Sequence, residues 1–235
     1  MPANLTDRVL DPLLAHNPAG PRITYYDDTT GERIELSTVT LANWAAKTAN
    51  LLRDELGAGR ARVLVALPAH WQTAAVLLGI WWIGAEVVLS GPADIALCTL
   101  GRLSDAEDAV GVGEVAVLSL DPFGAPVPDL PIGVTDYATA VRVQGDQIIP
   151  ERAPGPALAG RSVDEVFAAA ESSAAAQGLT AQDRVLSTRS WDSDQGLIDG
   201  LLAVFTAGAS LVQVANADPG ALERRRQTEK VTRDL

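Results

Sequence analysis

Residues 62–90 read "RVLVALPAHWQTAAVLLGIWWIGAEVVLS". The opening "RVLVALP" is an unbroken apolar run closed by Pro68, the pattern of a short strand buried on both faces. From about His70 to Ile83 the residues are apolar nearly all round a helical period, Trp71, Trp81 and Trp82 among them. Such a helix has to be covered on most sides. Gly84 ends it, and "AEVVLS" returns to strand. Strand, buried helix, strand is the unit of a parallel sheet with helices on its faces.

The same alternation extends in both directions. Downstream, "DIALCT" reads as a strand, "SDAEDA" as a short helix and "GEVAVLSL" as a further strand. Upstream, "RITYYDD" and "GERIELS" flank "DDTTG", whose Asp and Gly residues favour a hairpin turn. Ser37 is placed to cap the next helix, in which Leu41, Trp44, Ala45, Thr48, Leu51, Leu52 and Leu56 recur at helical spacing up to Gly57. The character changes at Asp121, where "DPFGAPVPDLPIG" is rich in proline and reads as a long surface loop. A small helix near Tyr137 to Val141 and a strand, "DQIIP", are expected next. A helix over 163–177, a strand "DRVLST", a helix "DQGLIDGLLAVFTAG", a strand "ASLVQVA" and a helix "DPGALERRRQTEK" complete the chain. The expected fold is α/β, with mostly parallel β-sheets flanked by helices. The expected organisation is a single compact unit over 1–235, or two halves, 1–120 and 133–235, joined by the Pro-rich loop 121–132.

Composition narrows the functions. The 235 residues are 47% hydrophobic, enough for a sizeable core. A formal net charge of −12 repels nucleic acid and anionic lipid, so neither is expected as a partner. Cys98 is the sole cysteine, which rules out an intramolecular disulfide and a Cys-based zinc site and leaves a small buried hydrophobe as its role. The longest apolar run, Ala74 to Ala85, falls short of the roughly 20 residues of a membrane helix. The start lacks the basic, apolar, small-residue order of a signal peptide. A cytoplasmic protein is therefore expected.

In their order, "ITYYDD", "STVTLANWAAKTANLLRDELGAGRARVLVALPAHWQTAAVLLGIWWIGAEVVLSG", "GLTAQDRVLST" and "GLLAVFTAGASLVQV" resemble the N-terminal region of adenylate-forming enzymes. These are the acyl-CoA synthetases, the adenylation domains of peptide synthetases, and luciferase. In size and pattern the chain looks most like a short actinobacterial family of unassigned function related to these AMP-binding enzymes. The resemblance implies their N-terminal subdomain fold, but not their chemistry. Where the family carries a Ser/Thr/Gly-rich phosphate loop with a Lys, roughly T-S-G-T-T-G-x-P-K-G, this chain has "IIPERAPGPALAG". The acidic adenine-side motif, the ribose-binding Asp and the domain with the catalytic Lys would all fall beyond Leu235. No catalytic residue transfers, and no cofactor is expected.

The remaining candidates are weak pocket residues: Arg161, Ser162, Ser187, Trp191 and Asp194. "GPALAGRS" (155–162) comes within one residue of the Walker pattern G-x-x-x-x-G-K-[ST], with Arg161 in place of Lys. Pro156 removes a phosphate-binding N–H, and Ser162, Asp164 and Glu165 read as a capped, acid-loaded helix start. The likeness is therefore read as chance. Asp192 and Asp194 could share a hard cation, but Ser193 or Asp194 as a helix cap is the expected reading, and no metal site is predicted. Trp191 falls where the resemblance places acyl-pocket residues, though core is the plainer expectation. His16 and His70 have no sequence neighbours that suggest a triad. Arg224, Arg225 and Arg226 read as a salt-bridged helix face.

The function these features imply is a non-catalytic relative of adenylate-forming enzymes that binds a small molecule or a protein. Two alternatives remain open: an enzyme subunit completed by another chain, and a structural homodimer joined through the Trp-bearing helix or the Pro-rich loop.

Overall fold

The computed structural model describes residues 4–235. The chain runs α1 (Leu5–His16), β1 (Pro21–Asp27), β2 (Glu32–Ser37), α2 (Thr38–Asn50), β3 (Arg62–Ala66), α3 (Trp71–Trp82), β4 (Glu86–Val88), β5 (Ile95–Thr99), α4 (Leu103–Val110), β6 (Glu114–Leu118), β7 (Val134–Asp136) and α5 (Tyr137–Arg142). It continues with α6 (Val163–Ala176), β8 (Arg184–Ser187), α7 (Asp194–Leu197), α8 (Ala203–Thr206), β9 (Ser210–Ala215), α9 (Pro219–Glu229) and β10 (Arg233–Asp234). Single π turns extend α2 over Leu51–Glu55 and link α7 to α8 over Ile198–Leu202.

Two compact units emerge, and they interleave along the chain. Among the described residues the first comprises 4–7, 42–67 and 72–163; the second comprises 8–41, 68–71 and 164–235. The Pro-rich stretch 121–132 lies inside the first unit. The reason for the interleaving is strand pairing: β1, from near the start, is hydrogen-bonded to β9, from near the end.

The first unit is built on an all-parallel sheet of order β4-β3-β5-β6-β7. One face packs Leu64, Ala66, Val88, Ala96, Cys98, Val115 and Val117 with Ala106 of α4. Each large apolar side chain so buried contributes about 1.5–3 kcal/mol. Cys98 is the buried hydrophobe expected of it, and burial raises its thiol to about 11. Helix α3 crosses α2 at Gly79, where a Cβ would fall 2.8 Å from the Ala45 carbonyl oxygen. Trp81 and Trp82 are buried within this unit and bonded there, Trp81 Nε1 to the Ala157 carbonyl (2.7 Å) and Trp82 Nε1 to Asp7 Oδ1 (2.7 Å). Trp71, at the start of the same helix, is buried as well.

The second unit holds a mixed sheet of order β10-β8-β9-β1-β2, parallel except for the β1–β2 hairpin. Leu186, Val212 and Val214 pack with Tyr26, Leu222 of α9 and Val231. Ser37 accepts the Thr40 N–H (3.2 Å), the expected cap of α2.

The sequence reading departs from the structure at three short segments. "DQIIP" is not a strand: Gly145 precedes it, Pro150 ends it, and Ile149 is exposed. The strands β7 and β10, of 3 and 2 residues, were not expected, being too short to show a period. No helix among the described residues is long and apolar enough to cross a membrane.

Candidate functional site

In the first unit, "GPALAGRS" lies along the edge of β4. Val87 donates its N–H to the Ala157 carbonyl (3.0 Å) and accepts from the Ala159 N–H (3.0 Å). Leu158 bridges in parallel to Val87 and antiparallel to Arg161, and Ala157 and Leu158 are buried. Ala159 and Gly160 both take left-handed backbone angles, φ 47° and 82°. The Gly160 N–H, which a phosphate loop would aim at its ligand, instead donates to Glu86 Oε1 (2.6 Å), and the other oxygen of Glu86 lies 3.4 Å from Arg62. A carboxylate of the chain itself thus occupies the anion position, and the segment serves as a cover for a sheet edge. The Arg161 N–H donates to the Leu158 carbonyl (2.9 Å). Ser162 stands directly before α6, which opens with Asp164 and Glu165 in its first turn.

In the second unit, three of the candidates share one loop at the carboxyl end of β8. Ser187 is the last residue of β8 and pairs with Gln213 of β9. Its hydroxyl accepts the Arg189 N–H (3.2 Å), while Gln213 Nε2 donates to the Arg189 carbonyl (3.0 Å). The loop then turns Trp191 inward to 2% exposure. Its indole lies against the π turn, where a Cβ at Gly200 would come within 3.0 Å of Nε1, so glycine leaves room for the ring. Ser193 caps α7 by accepting the Gly196 N–H (3.1 Å), with Asp194 as the first helical residue. Asp192 accepts from Ser190 (2.7 Å), and Asp199 accepts from Gln195 (2.7 Å) and from Ser173. These carboxylates are engaged locally. Among the described residues no group of three or more His, Cys, Asp or Glu could hold a metal ion.

Two buried polar atoms in this region have no hydrogen-bond partner among the described residues: the donor Trp191 Nε1 and the acceptor Gln213 Oε1. Each such group costs about 1–3 kcal/mol if left unsatisfied. Trp191 Nε1 lies in the loop that leaves the carboxyl end of β8, against the π turn, a feature frequent at functional sites. Gln213 lies on the adjacent parallel strand β9 opposite the last residue of β8, toward the sheet end where open α/β folds bind ligands. Of the residues singled out from the sequence, Ser187, Trp191 and Asp194 share this loop; Gln213, Arg189 and Gly200, which contact it, were not among them. The one available signal was the lone amide in the apolar run "SLVQVA". Arg161 and Ser162 belong to the other unit.

Two further clusters lie in the second unit. His70, just ahead of α3, is buried with its Nε2 3.6 Å from Glu32 Oε1 and its ring edge-on to Tyr25 at 4.2 Å. Burial holds its imidazole below the ordinary value, and Glu32 offsets this only in part. At the far side of the hairpin, Glu229 of α9 accepts from Tyr26, Arg33 and Arg184. These hydrogen bonds outweigh burial and keep its carboxyl below the usual range. Arg225 forks onto Asp28 (2.5 and 3.2 Å) and stacks over Tyr26 at 4.1 Å, and Arg226 pairs with Asp234 (2.9 Å), so this arginine run is a salt-bridged face.

No protein-family model matches the chain. Among solved structures it is similar to an acyl-CoA synthetase of Brucella canis, with TM-score 0.81 and 18% identity over 98% of this chain and 46% of that one. It is similar also to apo MatB of Rhodopseudomonas palustris, with TM-score 0.76 and 17% identity over 97% of this chain and 48% of that one. A benzoate CoA ligase of Burkholderia xenovorans LB400 gives TM-score 0.70 and 17% identity over 94% of this chain and 47% of that one. The chain spans about half the length of each, and its fold is that of the N-terminal part of acyl-CoA synthetases. A Mycobacterium tuberculosis protein described as "TIGR03089 family protein" is 67% identical over 240 residues, covering 100% of this chain and 99% of the relative. On that identity the chain belongs to the TIGR03089 family.

Proposed function

We propose that the protein is a non-catalytic relative of adenylate-forming enzymes that binds a small organic molecule at the carboxyl end of its mixed sheet. The observation that carries this reading is the pair of buried, unpartnered polar atoms, Trp191 Nε1 and Gln213 Oε1. One is a donor and the other an acceptor, which suits a ligand with a carboxylic acid or amide group. Both are closed to solvent, so a ligand reaches them only when the segment 188–193 moves. The carboxylate of Glu86 on the Gly160 N–H supports the non-catalytic part of the reading, since an anion already fills that loop.

A thermal-shift screen of nucleotides, CoA and small acyl or aryl acids tests this. A ligand bound only by the folded chain at a hundred times its Kd stabilises by about 2.7 kcal/mol. An acid should raise the Tm, and Trp191→Phe should abolish the rise; ATP and AMP at millimolar concentration should leave the Tm unchanged. A clear shift with ATP or AMP would sink the non-catalytic reading. Acyl-dependent ATP–pyrophosphate exchange with a second chain added would replace it with an enzyme subunit.

A homodimer retains one specific support. Phe123 and Ile132 of the Pro-rich loop are 90% and 107% exposed, an unusual placement for large apolar side chains. Sedimentation at micromolar concentration should then give twice the 24.6 kDa of the monomer. A clean monomer ends that reading.

A further inference from the structure

The opposite end of the mixed sheet holds a cleft of about 420 Å³, at the amino ends of β1, β8 and β9. Arg22, Asn17, Asp183, Ser210, Glu229 and Lys230 are among its lining residues. Arg22 is the unusual member, a guanidinium only 4% exposed. Its Nη1 donates to the Gly208 carbonyl (2.8 Å) and the Ala209 carbonyl (2.5 Å), and its Nε to the Thr38 hydroxyl (3.3 Å). No carboxylate among the described residues pairs with it. Its Nη2 makes no hydrogen bond among the described residues and stays open to solvent. Burial lowers its pKa to about 10, so it stays charged at neutral pH.

The acids of the cleft do not supply the missing charge. Asp183 accepts from Thr180 (2.8 Å to both N and Oγ1) and Thr232 (2.8 Å), and its charge faces Arg233 at 3.8 Å. Glu229 is taken up by Tyr26, Arg33 and Arg184. Lys230 adds a second cation with no ion pair among the described residues. The Gly208 and Ala209 carbonyls, in the turn between α8 and β9, offer Arg22 dipoles and no full negative charge. Arg22 and Lys230 are therefore the two cations of the cleft with no carboxylate partner among the described residues. Donors accompany them: among the described residues Asn17 uses only its Oδ1, toward the Gly20 N–H (2.9 Å), and the Ser210 hydroxyl makes no hydrogen bond.

We propose that this cleft binds the oxyanion group of a small organic molecule, a phosphate or a carboxylate, between Arg22 and Lys230. The site is separate from the carboxyl-end site and stands or falls without it.

The test uses the full chain at low ionic strength, followed by amide NMR shifts during separate titrations with inorganic phosphate and with acetate, against chloride at matched ionic strength. A saturable response should appear in one or both arms, centred on Arg22, Gly208 and Ser210. The stronger arm identifies the group. Lys230 has φ 52°, which glycine adopts freely, so Lys230→Gly removes the cation and keeps the fold. It should weaken binding at least fivefold with no fall in Tm. Arg22→Gln should abolish binding; if that variant does not fold, Lys230→Gly decides alone. No response beyond chloride, a response centred elsewhere, or unchanged affinity in Lys230→Gly would overturn the proposal.

Discussion

His70 and Glu32 form a buried pair at 3.6 Å whose pH behaviour follows from the direction of the histidine shift. The unfolded chain takes up the imidazole proton near pH 6.5, whereas the folded chain, with its imidazole desolvated, does so only at lower pH. Neutral His70 therefore contributes stability that is complete above about pH 6.5 and is lost as the pH falls toward the lower folded value. Urea midpoints should drop between pH 7.5 and 5.5 in the parent, and less in His70→Gln. An equal drop in both would remove His70 from the account. Glu229 and Asp28, both held below the ordinary carboxylate range by their arginine and hydrogen-bond partners, act in a lower window. Their contribution is present above about pH 4.5 and is lost as the pH falls through their folded values. Glu229→Gln, which strips the charge from bonds to Tyr26, Arg33 and Arg184, should cost about 2–3 kcal/mol in urea unfolding at pH 7.

At the scale of elements, the α2–α3 crossing depends on Gly79. Alanine is the better helix former by about 1 kcal/mol. Its methyl, however, would sit 2.8 Å from the Ala45 carbonyl oxygen and 2.9 Å from Thr48 Cβ. Overpacking of this kind costs about 1–3 kcal/mol or more, so Gly79→Ala should lower the Tm despite the propensity gain. An unchanged or raised Tm would show that the helices separate freely. Helix α3 was legible because its apolar run has clear ends, Pro68 and Gly84. The hairpin was legible because Asp and Gly mark its turn. Strands β7 and β10 were not, since two or three residues hold no periodicity and owe their pairing to neighbours distant in sequence. The candidate site divides in the same way. Ser187 and Trp191 could be placed from their position after a strand. The unpartnered amide oxygen of Gln213 and the unpaired charge of Arg22 exist only because β9 lies between β8 and β1, an arrangement that local patterning does not encode.

On the scale of the whole molecule, the two units differ in how they draw on the chain. The first takes nearly all its residues from 42–163, whereas the second needs both 8–41 and 164–235. Its sheet joins Ile23 to Leu211 and Tyr26 to Val214 as direct neighbours. Protein synthesis supplies these partners far apart in time. The hairpin leaves the ribosome early, with Ile23 and Tyr25 still lacking the strand that will cover their edge. The first unit can close meanwhile. Chains arrested after residue 163 should accordingly resist protease across 42–163 but be cut within 21–37, and the cuts should vanish once residues up to 235 have emerged. Protection of the hairpin in the arrested chain would show that β1 and β2 are held without β9. The order in which the segments are made thus leaves one sheet edge open for most of translation, and that edge is where a chaperone would be expected to bind the nascent chain.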